Sequence, residues 1–498
     1  MAEKAKKSRT AESIANTFEW IITAFVLAFI FRAFILEAFR IPTGSMADTL
    51  MGDHFRMRCT QCGFKYEYNF NPYFHKSFHT YSGNNYYKLL SPPRCPSCGY
   101  YEKPNTTALQ SNGDRILVFK SLYQFAEPKR WDVFVFKNPT EPKINYIKRL
   151  IAKPGETLEL IDGDVYINGK IERKPSKVQD ELWMPVYNNN FIPIQPLEGR
   201  FNEHSWHQPF TNEADSNWQW DPQRPVEFTL RSDEGNINTM FYDTDKGNDF
   251  RSAYAYDEPK YYRTLPVCSD LKMTLNANRK TDGLIGVGLS KYGIQYNAIY
   301  YSTGTMVIEK TGSDGEIAEL VKEKIEPAKL EKNFNVTFAN VDHLLVFQIG
   351  DEKISYDLGR DANDAGERRK EIEPRATIFG SGEVVIKDVR LYRDIYYMDT
   401  KTGSMEPVLR AGEGDAFTLG ENEFFAMGDN SPDSLDSRLW SMEGIGNNGI
   451  AYRQGVVPRD YLVGKAFFVY WPAGFRAGNF KLALVPNVGK MRFIYGGQ

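Results

Sequence analysis

Cysteine is scarce in this chain. There are five among 498 residues, too few for a disulfide scaffold. A long basic run is also missing, and the formal net charge is −3, so composition gives no reason to expect a nucleic-acid partner. What is present is ordinary for globular domains: 42% apolar and 25% charged residues, over a length that admits two to four domains. The 29 tyrosines and 33 phenylalanines favour strands.

Residues 1–13 are polar and carry Lys4, Lys6, Lys7 and Arg9, whereas 14–36 are mostly apolar. As a helix that stretch is about long enough to cross the roughly 30 Å of a bilayer interior. Glu19 and Arg32 lie near its ends, and Trp20 suits an interface. The basic cluster places residues 1–13 inside and everything after Leu36 outside. A cleaved signal peptide and a buried core helix are the competing readings; the length of the span and the Glu37–Arg40 flank favour a retained anchor.

After this anchor comes Ile41-Pro42-Thr43-Gly44-Ser45-Met46, within a segment taken as 37–57. A serine beside a glycine is commonly only a turn residue. Two Cys-x-x-Cys pairs follow, Cys59/Cys62 and Cys95/Cys98, each trailed by glycine, within a segment taken as 58–111. Two such knuckles predict a zinc-ribbon-like, four-sulfur structural zinc site. Two disulfides are the alternative, because this segment would face an oxidising space. His54, His75 and His79 read as surface polar residues rather than ligands, and Cys268 as a small buried residue. Residues 112–180 then read as a compact all-β region. Within it, Lys148 lies in a strand with apolar neighbours, Tyr146-Ile147-Lys148-Arg149-Leu150-Ile151. Burial there would lower its pKa and leave neutral amine able to take a serine proton; a surface lysine on a strand edge is the alternative.

Taken together, these stretches resemble the bacterial type I signal peptidases. The matching residues are Ile41–Met46 after an anchor, Gly113-Asp114-Arg115-Ile116-Leu117-Val118, Tyr146–Arg149 with Pro154-Gly155-Glu156, and Gly428-Asp429-Asn430 with Ser434, Asp436, Ser437 and Arg438. They occur in the family's order and cover about half the chain. The resemblance implies a mainly β fold: a signal-peptidase-type β core behind one transmembrane helix, interrupted by the zinc-ribbon-like insert and a large middle domain. It implies Ser45 as acylating nucleophile and Lys148 as general base. The Ser45 N–H and Thr43 hydroxyl would form the oxyanion hole, Ser434 would orient the lysine, and Asp436 and Arg438 would form a supporting ion pair. No catalytic cofactor is implied. The expected substrates are exported precursors with signal peptides, the setting is the bacterial cytoplasmic membrane and its lipid, and the secretion translocon is a further expected partner. One departure is that Gly52-Asp53 and Gly113-Asp114 look like the two broken edges of a single junction, opened by the cysteine insert.

Residues 181–400 are foreign to that core. Trp206, Trp218 and Trp220 lie in a polar, loop-like opening; short strands are then expected at 226–230, 286–289, 294–301, 335–339, 344–349 and 384–392. Their regular spacing suggests a β-sandwich, and the segment Asn333–Gly350, ending in a Gly-Asp turn, loosely resembles strands of the concanavalin-like jelly rolls. Residues 401–498 complete the catalytic core. They begin with a second serine box, Thr402-Gly403-Ser404-Met405-Glu406-Pro407, which lacks an anchor before it and a Lys-Arg strand after it, so a turn is the better reading of Ser404. Two rival functions remain. A self-cleaving repressor would need a DNA-binding helix-turn-helix where the anchor lies, and a decayed, non-catalytic scaffold would not need Ser45, Lys148 and Ser434 intact.

Overall fold

The computed structural model describes residues 2–71, 80–81, 86–89, 91–139, 141–201, 205–325, 333–359, 369–402, 406–446, 449–474 and 487–497. The fold is mainly β, behind one N-terminal helix. That helix spans Ala2–Phe34, and its Ala15–Arg32 stretch is apolar enough to cross a membrane and is not buried against the described residues. It stops two residues short of the expected anchor end, because Leu36–Arg40 is a strand paired with Arg115–Phe119.

The central sheet has the order Leu36–Arg40, Arg115–Phe119, Leu462–Trp471, Val133–Lys137, Asn145–Ala152, Glu423–Met427, Val457–Pro458, with Arg492–Phe493 added to Leu462–Trp471. Its neighbours are antiparallel. Both faces are covered, as Val133–Lys137 shows: Val133 and Val135 enter one core with Ile41, Met46 and Leu50, while Phe134 and Phe136 enter another with Leu150, Phe424 and Trp440. Alternate side chains of one strand thus serve two cores. A smaller sheet of Thr157–Ile161, Asp164–Ile167, Lys170–Ile171 and Phe417–Thr418 flanks it.

The chain leaves this framework twice. The first excursion forms a five-stranded sheet, with His54–Arg58 between Lys65–Asn69 and Thr107–Ser111. The second forms two seven-stranded antiparallel sheets that share one apolar core. The expected strands at 294–301 and 344–349 coincide with observed ones, and those at 226–230, 286–289, 335–339 and 384–392 fall on observed strands with ends one or more residues away. Two tryptophans depart from the loop-like reading. Trp218 is a core residue of the sandwich, its indole N–H donating to the Asn238 carbonyl at 3.0 Å, and Trp206 packs in the cysteine-bearing module.

Candidate active site

The Ser45 loop is held from below by Ile41, Met46 and Leu50, all buried in the central sheet's core. Gly44 accepts from the Ala47 N–H at 2.9 Å, and Met46 from the Leu50 N–H at 2.7 Å, so the loop is a chain of tight turns. The two separated junctions do meet. The Gly113 N–H donates to Asp53 Oδ1 at 2.8 Å, the Met51 N–H to Asp114 Oδ2 at 3.0 Å, and the Ile41 N–H to the Asp114 carbonyl at 2.8 Å. A Cβ on Gly113 would collide with the Ile41 carbonyl, which explains a glycine at this crossing. Ser45 is half-buried and Thr43 exposed; the Ser45 carbonyl accepts from the Asn430 N–H at 3.1 Å.

Lys148 lies in Asn145–Ala152, opposite Phe134, and is only 3% exposed. Burial lowers its pKa to about 8, against the opposing pull of the Asp436 carboxylate. On the other side its strand pairs with Glu423–Met427, Met427 lying opposite Arg149. Gly428, the next residue, therefore leaves the sheet on the Lys148 side. A Cβ there would collide with both the Ser434 hydroxyl and the Ser45 carbonyl. Gly428 is the point around which the serine loop, the lysine strand and the Ser434 loop close.

Behind that point lies a saturated ionic group. Asp436 Oδ2 accepts from the Ser434 hydroxyl at 2.7 Å and the Gly428 N–H at 3.0 Å, and Arg438 grips both carboxylate oxygens at 2.8–2.9 Å. The other Arg438 donors reach the Met398 carbonyl and Ser431. Burial alone would raise the Asp436 pKa, but Arg438 and these hydrogen bonds hold it below the usual carboxylate range. Because Ser434 donates to Asp436, its oxygen lone pairs are available to an ammonium or amine.

Sequence reasoning missed three things here. Arg149, fully buried, makes a bidentate pair with Asp429 at 2.7 Å for each bond and ties the lysine strand to the Gly428-Asp429 turn. The adjacency of Lys148-Arg149 and Gly428-Asp429 in the motifs was the available signal. The middle domain also reaches the site. The Tyr256 ring packs where a Gly44 side chain would go, the Tyr254 hydroxyl donates to the Asp429 carbonyl at 2.7 Å, and Asn430 Nδ2 donates to Asp257 at 2.6 Å. Finally, His54 is not a surface residue. It is 1% exposed, with Nδ1 2.8 Å from the Gly52 carbonyl, because its strand starts under the junction. His75, His79 and the Gly403-Ser404-Met405 copy of the serine box lie outside the described residues.

The four paired cysteines converge. Their sulfurs all lie within 4.8 Å of one another, with Cys59–Cys98 at 3.7 Å and Cys62–Cys95 at 3.6 Å. Each knuckle is closed by a glycine N–H, Gly63 to the Cys59 carbonyl and Gly99 to the Cys95 carbonyl, both at 2.9 Å with positive φ. A disulfide needs sulfurs about 2.05 Å apart. Four thiolates around zinc at about 2.3 Å stand roughly 3.8 Å apart, so the donor set and spacing fit a tetrahedral ion. Cys268 is buried, as expected of a small apolar residue.

The profile of the signal peptidase, peptidase S26 family matches residues 101–196 and 377–471, which lie on either side of the second excursion and run into its outer strands Met184–Asn188, Ala376–Gly380 and Glu383–Arg393. The chain is similar to bacterial signal peptidase I. Signal peptidase I of Rickettsia canadensis (strain McKiel) is 32% identical over 170 residues, covering 34% of this chain and 48% of that one. That of Rickettsia akari (strain Hartford) is 31% identical over 173 residues with the same coverages. The chain thus spans about half the length of these relatives. Among solved structures, the CBM2 module of the Lactobacillus casei BL23 phage J-1 evolved Dit aligns at a TM-score of 0.23 and 12% identity, over 37% of this chain and 83% of that one. A likeness so distant assigns no ligand.

Proposed function

We propose that this chain is a membrane-anchored serine endopeptidase that removes N-terminal signal peptides from exported precursors. The observation that carries the reading is Lys148, buried and lowered to about 8, at the point where the Ser45 and Ser434 loops close on Gly428. A lysine so tuned is about a tenth neutral at pH 7 and half neutral near pH 8, and can act as a general base.

In this reading Ser45 Oγ attacks the scissile carbonyl carbon while its proton passes to Lys148 Nζ. The Ser45 N–H and Thr43 hydroxyl hold the resulting oxyanion. Collapse breaks the C–N bond, and the Lys148 ammonium returns the proton to the departing amine. Water then attacks the ester, again giving its proton to Lys148, and Ser45 is regenerated. Ser434 positions the lysine, and Asp436 and Arg438 fix Ser434. Small side chains one and three residues before the cut are the expected preference. The Ala15–Arg32 helix would anchor the enzyme in the bacterial cytoplasmic membrane, N-terminus inside and sheets outside, in contact with lipid and near the translocon. Cys59, Cys62, Cys95 and Cys98 would hold a structural zinc that closes the first excursion.

The test is processing of an exported precursor by the purified full-length protein. Cleavage after a small residue, abolished by Lys148→Ala in a protein that remains folded, is expected. Undiminished cleavage by Lys148→Ala would refute the dyad.

A further inference from the structure

A cavity of about 590 Å³ belongs mostly to the two excursions and reaches the Ser434 loop. Its walls come from Tyr68 and Asn69 of the cysteine-bearing module, from the middle-domain segment around 248–262, and from Pro432 and Asp433 of the Ser434 loop. Three arginines line it, and their donors are committed. Arg251 bonds Asp249 at 3.2 Å and the Leu265 carbonyl at 2.8 Å. Arg94 lies 4.2 Å over the Tyr262 ring and donates to Asn248 at 2.5 Å. Arg393 donates to the Asp394 and Ala253 carbonyls.

Two carboxylates in the same wall are committed differently. Asp257 Oδ1 accepts from Asn430, whereas its Oδ2 is shielded from solvent and accepts no hydrogen bond. Among the described residues neither Asp257 nor Asp433 forms an ion pair with a lysine or arginine. Burial, and then the neighbouring Asp433, push the Asp257 carboxyl well above the usual range, which favours its neutral form over an unpaired carboxylate. The connection to the site is short. The same Asn430 that holds Asp257 also donates to the Ser45 carbonyl, and Asp433 lies close enough to Lys148 for their charges to interact.

We infer that this cavity takes a cationic side chain, lysine or arginine, of the polypeptide bound at Ser45, held by Asp257 and Asp433. An ammonium or guanidinium there would satisfy the buried Oδ2 and let Asp257 and Asp433 ionise together, in a wall that Tyr68 and Tyr254 also line. A neutral polar side chain would give a fraction of that, and an acidic one would bring a further carboxylate into a poorly solvated acidic wall. The excursions would then add a requirement for positive charge to a small-residue cleavage rule, close to the scissile bond. This assignment rests on the peptidase reading for the identity of the bound chain.

The test uses full-length Ser45→Ala protein in detergent and fluorescent peptides spanning a precursor's cut site. The peptides differ only by lysine against glutamine at one position, scanned along both sides of the cut. At one position the lysine peptide should bind about 10-fold tighter or more. That ratio should fall toward one in Asp257→Asn/Asp433→Asn, and Asp433→Lys should instead favour glutamate there, a reversal that misfolding cannot produce. Equal binding of lysine and glutamine peptides at every position, no binding of either, or a preference that survives the double substitution would overturn the assignment. Cleavage is read separately with the unsubstituted protein. Lysine-dependent binding without cleavage would retain the cavity and remove the peptidase reading.

Discussion

In the proposed mechanism Lys148 is the general base, and its environment sets a pH dependence. A base with a pKa lowered to about 8 is protonated and inactive below that value and neutral above it. The value of kcat/KM should therefore rise about tenfold per pH unit on the acid side, bend near 8 and level off. A steady-state profile with a fixed peptide checks this. Ser434→Ala should move that bend and lower kcat by up to about 100-fold, since it releases the lysine without removing it. Asp436→Ala leaves the Arg438 guanidinium buried without its carboxylate and should cost about 3–5 kcal/mol in urea unfolding. At this scale the sequence was informative where a residue type and its immediate neighbours decide the role. Apolar neighbours allowed a buried Lys148 but left a strand-edge surface lysine open, and its 3% exposure decides for burial. The Arg149–Asp429 pair did not announce itself, because its partners are 280 positions apart and a charged residue beside a lysine reads as solvated surface.

Among the elements, the cysteine knuckles were legible because their geometry is local: a glycine with positive φ closes each turn within five residues. The expected measurement is about one zinc per chain by elemental analysis, lost in Cys59→Ser together with protection of residues 58–111 from protease. Full metal content in that variant would end the zinc assignment. Strands were legible in proportion to their alternation. Ile294–Tyr301 has buried partners on one face and is found at its sequence-read bounds. Ile317–Lys324 is an edge strand, largely exposed, held by backbone pairing with Thr305–Thr311, so its residues carry no apolar period. His54 was misread for the opposite reason: a lone polar residue at a strand start was turned inward by the junction above it.

The molecule as a whole is a β core opened at two places and closed again across each opening. Asp53 and Asp114 restore the first, and the sheet order places Asn145–Ala152 beside Glu423–Met427 across the second. Long-range pairing of this kind leaves no local trace, which is why the closing of the Ser45 and Ser434 loops on Gly428, next to the Lys148 strand, could be expected only from resemblance and not from periodicity. The second excursion is not passive, since its Tyr254, Tyr256 and Asp257 pack on the loops that carry Ser45 and Asp429. The central claim is that Ser45 is the nucleophile despite a second serine box at Ser404. The most direct measurement is cleavage of one precursor by the full-length protein, by Ser45→Ala and by Ser404→Ala, side by side. The unsubstituted protein and Ser404→Ala should cleave at comparable rates and Ser45→Ala should not cleave. Cleavage by Ser45→Ala, or its loss in Ser404→Ala alone, would contradict the claim.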